Sequence, residues 1–133
     1  MKSFYILLFV LFSQGISSAQ DAPIKVPQIG IKVALGETVH IDDLQIRFVE
    51  VLEDSRCPKY TECVWAGRAR ILIEVSTKGM TKIEQELIFN QNKENRISSL
   101  KGTIYYGMEL TPYPSMDDTG AREYVLIVGK RNK

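Results

Sequence analysis

Residues 65–89, WAGRARILIEVSTKGMTKIEQELIF, decide the fold class. Trp65, Gly67, Ala69, Ile71, Ile73 and Val75 occupy alternate positions, with Arg68, Arg70 and Glu74 among the residues between them. Thr77-Lys78-Gly79-Met80 supplies a turn, after which Ile83, Gln85, Leu87 and Phe89 alternate with Glu84 and Glu86. A period of two with one apolar set is the signature of a strand with one buried face. Two such runs around a glycine turn predict an antiparallel hairpin. It would set Arg68 and Arg70 near Glu84 and Glu86 on the outer face, where each cross-strand pair contributes about 0.2–1 kcal/mol and helps fix register. A solvated charged face accounts for these residues fully.

The same period continues on both sides. Ile31, Val33 and Leu35 alternate before a turn at Gly36-Glu37, and Val39 and Ile41 alternate before a turn at Asp42-Asp43. Leu44, Ile46 and Phe48 share one face of a longer strand, but Val49 and Val51 then carry the apolar positions. A slip of one residue predicts a β-bulge near Phe48-Val49, or else a strand buried on both faces with Glu50 near an edge. Residues 90–101 are polar and read as a long loop. Ile104, Tyr106, Met108 and Leu110 predict a further strand, ended by Thr111-Pro112-Tyr113-Pro114. A polar turn over 115–120 leads to Glu123-Tyr124-Val125-Leu126-Ile127-Val128, apolar on both faces and therefore central in its sheet. No segment has a helical period, and there is no internal repeat. The expectation is an all-β chain: an antiparallel β-sandwich or small barrel of six to eight strands with one short disulfide-closed loop.

The amino terminus reads as a secretory signal over residues 1–19. Lys2 precedes the apolar run from Phe4 to Phe12, and Ser17-Ser18-Ala19 supplies small residues for cleavage after Ala19. A membrane span needs about 20 apolar residues, and this run breaks at Ser13-Gln14-Gly15, so no stable membrane insertion is expected after cleavage. Residues 20–30 contain two prolines and read as a linker or first edge, and residues 31–133 as a single β domain. The expected location is periplasmic or secreted. Removing Lys2, one of 17 Lys and Arg residues, balances them against 16 Asp and Glu. The basic residues are scattered except at the tail (Lys130, Arg131, Lys133), which reads as a solvated terminus. Such a chain offers no steering field for nucleic acid or anionic lipid.

Both cysteines and the single tryptophan sit in Asp54-Ser55-Arg56-Cys57-Pro58-Lys59-Tyr60-Thr61-Glu62-Cys63-Val64-Trp65-Ala66-Gly67. Cys57 and Cys63 in an exported chain read as a disulfide. Their spacing is not CxxC, so a structural bond is expected over a redox pair. Closing a seven-residue ring contributes about 2 kcal/mol in the loop-entropy argument, so the bond holds the loop's shape more than the fold. Asp54 closes the turn, with Arg56 as its expected partner, while Pro58 and Gly67 shape the loop. Trp65 shares parity with Ile71 and Ile73 and is expected to pack in the core against the disulfide, the alternative being an exposed aromatic for carbohydrate or protein contact. Arg56, Lys59, Tyr60 and Glu62 are the candidate partner contacts, with Lys59 and Tyr60 foremost.

Catalytic and cofactor chemistry find little support. His40, the one histidine, lies between Val39 and Ile41 in a strand, where a surface role is expected over a triad. Asp42-Asp43 and Asp117-Asp118 lack the spaced ligands of a calcium loop, and two cysteines with one histidine fall short of a zinc set. Glu50 and Glu53 lack any further feature of a glycosidase pair, and no phosphate-cradling glycine loop occurs. No metal, no cofactor and no enzyme activity are expected. What remains is a non-enzymatic binding module of the cell envelope, contacting an envelope or extracellular protein through the Cys57–Cys63 loop. The alternative is a protease inhibitor presenting Lys59 in a preorganised ring.

Asp-Ser-Arg-Cys-Pro at 54–58, then Cys-x-Trp-Ala-Gly at 63–67 feeding an aliphatic strand, resembles a group of small exported bacterial proteins of unknown function. Leu-Thr-Pro-Tyr-Pro at 110–114 followed by Glu-Tyr-Val-Leu-Ile-Val is similar to the closing segment of that group. The resemblance spans about Gly36 to Lys130 and rests chiefly on the cysteine loop. It implies export and the β fold, and no activity.

Overall fold

The computed structural model describes residues 29–90, 94–118 and 120–132. The expected signal segment and most of the linker lie outside them. Eight strands are formed: β1 (Gly30–Ala34), β2 (Thr38–Ile41), β3 (Leu44–Asp54), β4 (Ala69–Thr77), β5 (Ile83–Phe89), β6 (Asn95–Leu100), β7 (Thr103–Thr111) and β8 (Val125–Asn132). They make two four-stranded sheets, ordered β1-β8-β7-β6 and β2-β3-β4-β5, in which every pairing is antiparallel. The result is sandwich-like, all-β among the described residues.

The alternating apolar positions meet between the sheets. Leu44, Ile46 and Phe48 of β3 and Ile71 and Ile73 of β4 face Val33, Leu110, Leu126 and Val128 from the opposing sheet, all but sealed from solvent. Burial of such side chains contributes about 1.5–3 kcal/mol each. The β3–β4 register shifts between Phe48 and Glu50, so the bulge expected from the slipped period is present. β8 lies between β1 and β7, the inner position its two apolar faces required. On the outer face Arg70 pairs with Glu86 at 2.6 Å as the hairpin predicted, whereas Arg68 turns to Glu53 at 3.3 Å.

One expectation is corrected. Residues 90–101 are not wholly a loop, because 95–100 form β6. Its inward positions are Asn95 and Ile97, and the polar one hid the period. Asn95 is tolerated because its Oδ1 accepts the backbone N–H of Ile88 at 3.0 Å, tying β6 to β5. The basic residues Lys130 and Arg131 are solvent-exposed as expected, and they also continue β8, with Lys130 Nζ 2.9 Å from Asp42 and Arg131 2.6 Å from Glu94.

The β2–β3 turn marks one end of β3, and there Tyr105 donates its hydroxyl to Asp42 at 2.7 Å. Burial and the Asp42 contact push the Tyr105 phenol up to about 12, with Asp43 adding to the effect. The unfolded phenol titrates near 10.0. The folded chain therefore holds this proton more tightly, and the stability it contributes is present below the unfolded value and lost as pH rises through the folded one. Denaturation midpoints measured across about pH 9 to 12 should fall for wild type and fall less for Tyr105→Phe. Parallel curves would remove Tyr105 as the cause.

Candidate functional site

The other end of β3 runs into the cysteine loop. Asp54 is the last residue of β3 and pairs with Ala69, the first of β4. The ladder continues beyond the sheet, with Ser55 N–H donating to Arg68 O at 2.8 Å and Cys57 N–H to Ala66 O at 3.0 Å. Cys57 and Cys63 are bonded, with their Cα atoms 6.0 Å apart. At the tip, Thr61 N–H donates to Pro58 O at 3.3 Å, closing a turn centred on Lys59 and Tyr60. Tyr60 has φ of 63°, a left-handed value that costs a side-chain-bearing residue about 1–2 kcal/mol.

The loop is held down by Arg56. Its Nε and Nη2 donate to the two carboxylate oxygens of Asp54 at 2.7 and 2.8 Å, a bidentate pair. Nη1 reaches Leu110 O at 2.7 Å and Nη2 also reaches Pro112 O at 3.0 Å. The guanidinium lies 4.4 Å from the centre of the Tyr113 ring. Asp54 also accepts from Tyr124 Oη at 3.0 Å and Arg122 Nη1 at 3.2 Å, and Arg122 pairs with Asp118. A further bond, Lys59 N–H to Pro114 O at 3.1 Å, fixes the tip. So Asp-Ser-Arg-Cys-Pro and Leu-Thr-Pro-Tyr-Pro, far apart in sequence, are one unit in space. Burial by itself would raise the Asp54 carboxyl, but the hydrogen bonds and charge of Arg56, with the Tyr124 hydroxyl, outweigh it and hold its pKa below 3.8.

This geometry sorts the predicted residues. Cys57 and Cys63 form the expected bond, and Asp54, Pro58 and Gly67 shape the loop. Lys59, Tyr60 and Glu62 are exposed. Arg56 is not: only 6% of its surface is open, so as a contact residue it is corrected to an internal anchor. A guanidinium with a carboxylate and two carbonyls in reach is better satisfied inside than in water. Trp65 is corrected in the opposite sense, being 81% exposed. The parity reading failed because β4 begins at Ala69 and the chain before it turns at Gly67, whose φ is 67°. A left-handed residue breaks the alternation on which parity depends. His40 lies exposed in β2, opposite Gln45. The sequence reading missed Val64, Tyr113, Arg122 and Tyr124. Tyr113 stood out only by its flanking prolines, and the other three carried no local signal.

Tyr60, Val64 and Trp65 are 105%, 89% and 81% exposed, which puts three large side chains outside the core, Tyr60 within the disulfide ring and Val64 and Trp65 directly after Cys63. Beside them an open cleft of about 560 Å³ is lined by Pro58, Thr61, Glu62, Trp65, Tyr113 and the disulfide. Among the described residues no three His, Cys, Asp or Glu side chains are grouped so as to hold a metal ion. No protein-family model matches the chain, and no curated protein or solved structure was found to match it.

Proposed function

We propose that this protein is an exported, non-enzymatic interaction module of the cell envelope whose contact surface is the Cys57–Cys63 loop. The observation that carries this reading is the contrast between a fixed loop backbone and its exposed apolar side chains. A disulfide, the Arg56 anchor and the Lys59–Pro114 bond immobilise the backbone, while Tyr60, Val64 and Trp65 project to solvent. Rigid aromatic side chains on a preorganised loop lose little entropy on binding and are typical energetic centres of interfaces. The left-handed Tyr60 adds a second sign, since backbone strain on a side-chain-bearing residue concentrates at working sites. The charged groups of the anchor, Asp54, Arg56, Arg122 and Asp118, are engaged with one another, as suits a structural support for the loop. Export is supported by the disulfide and by the signal-like residues 1–19.

A Lys59-directed protease inhibitor gains no supporting observation. Inhibitory segments dock as extended strands with free backbone groups, whereas here the Lys59 N–H is engaged and Tyr60 turns the chain.

The test is crosslinking of the protein to envelope extract, comparing wild type with Trp65→Ala and with Lys59→Ala/Tyr60→Ala. Trp65→Ala should abolish capture of the wild-type partner while changing stability by no more than about 0.5 kcal/mol, as for other exposed substitutions. Equal capture by all three would move the contact surface away from the loop.

A further inference from the structure

We infer that the cleft beside the stapled loop is a binding site for a neutral saccharide, stacked on Trp65 and hydrogen-bonded by Glu62. The inference rests on the loop being the contact surface and names its ligand chemistry. The cleft is walled by two aromatic side chains, Trp65 and Tyr113, and bounded by Pro58 and the disulfide, groups that cannot collapse into it. At about 560 Å³ it falls within the range of roughly 300–1,000 Å³ usual for small-ligand sites.

Its polar groups select the ligand. Glu62 is the one acidic side chain among the lining residues, and it makes no hydrogen bond or ion pair with the other described residues. A free carboxylate repels carboxylates and phosphates but accepts strong, charge-assisted hydrogen bonds from hydroxyl groups. Thr61 adds a hydroxyl to the same lining. A cationic ligand would be drawn to Glu62, yet Tyr113 already has Arg56 at 4.4 Å and Lys59 at 5.9 Å from its ring centre. Those two cations already lie against the Tyr113 ring and repel a further positive charge on that side of the cleft. What satisfies all of these groups is an uncharged ring with one C–H face and hydroxyls at its edge. The C–H face lies on the indole of Trp65, and adjacent hydroxyls donate to the two oxygens of Glu62.

Trp65 is the single tryptophan, so indole fluorescence reports on this cleft alone. The probes are maltotriose, cellotriose and triacetylchitotriose, each titrated to millimolar concentration while Trp65 emission is followed. Saccharide-observed saturation-transfer NMR covers Trp65→Ala, which has no indole signal. The inference expects a saturable emission change with at least one probe. It also expects loss of transfer in Trp65→Ala, and affinity about tenfold weaker in Glu62→Gln at unchanged melting temperature. No response to any of the three probes overturns it, as does binding that Glu62→Gln leaves undiminished. If the saccharides fail but crosslinking to a partner protein still depends on Trp65, the ligand assignment falls and the contact surface stands. If both fail, the loop is a structural clasp.

Discussion

Replacing Asp54 by asparagine should destabilise the fold by about 3–5 kcal/mol, the usual penalty for removing one partner of a buried ion pair. The carboxylate and guanidinium are each only 4% exposed, so Arg56 in the variant keeps its charge inside the protein with two carbonyls and a tyrosine ring for company. Tyr124 and Arg122 lose the same acceptor. For a domain of this size the melting temperature should fall on the order of 15 °C. The double variant Asp54→Asn/Arg56→Met removes the stranded charge as well and should recover part of the loss, so that the two changes are non-additive. The pH dependence carries the same signature. Because the folded carboxyl titrates below 3.8, its contribution is present above that value and disappears as pH falls through the folded one. Wild type and Asp54→Asn should therefore converge in stability as the solution is acidified below about pH 4. A loss under 1 kcal/mol at neutral pH, or a constant gap down the acid limb, would sink the account of Asp54 as the keystone of the loop.

The difference between what was legible in the sequence and what was not follows from the range of the interactions. The β4–β5 hairpin, the Phe48-Val49 bulge and the inner place of β8 are written in neighbouring residues, because a half-buried strand must alternate and a slip in alternation must be absorbed locally. The disulfide was legible for a similar reason: two cysteines six positions apart have few other partners. β6 was missed because Asn95 stands at an inward position, and only the Ile88 N–H across the sandwich makes that acceptable. Arg56 looked like a surface residue because its partners at Leu110, Pro112 and Tyr113 are more than fifty residues away. Trp65 looked like a core residue because alternation was carried through Gly67 as if the chain were extended there. In each case a polar or aromatic side chain was placed by a distant partner or by a backbone reversal, and neither leaves a periodic trace. The candidate contact surface was thus found as a loop, but its members were partly exchanged. Arg56 went inside, Trp65 came out, and the wall supplied by Tyr113 was added from the far end of β7.

Gly67→Ala tests that backbone reversal directly and is expected to be among the most damaging single changes in the chain. A Cβ at residue 67 would stand 1.8 Å from Ser55 O and 2.6 Å from Ser55 C, both backbone atoms that cannot swing aside. The φ of 67° adds its own penalty for any side chain. Relief would require the neck of the loop to open, breaking the Ser55–Arg68 and Cys57–Ala66 backbone bonds and pulling Arg56 from its carbonyl partners. The combined loss should exceed about 3 kcal/mol, the scale at which a named mechanism such as backbone strain is required. Gly79→Ala is the matched control. Gly79 has a similar φ of 82° at the β4–β5 turn, but nothing lies within 4 Å of a Cβ there. It should cost only the left-handed penalty of about 1–2 kcal/mol. The difference between the two variants, measured by denaturant unfolding, isolates the collision with Ser55 from the conformational term common to both. If Gly67→Ala is no worse than Gly79→Ala, the neck is compliant and the loop is not the rigid platform that binding through Trp65 and Tyr60 requires. If it is worse by the expected margin, Gly67 lets β3 and β4 approach closely enough for Arg56 to be buried, and thereby directs Trp65 outward.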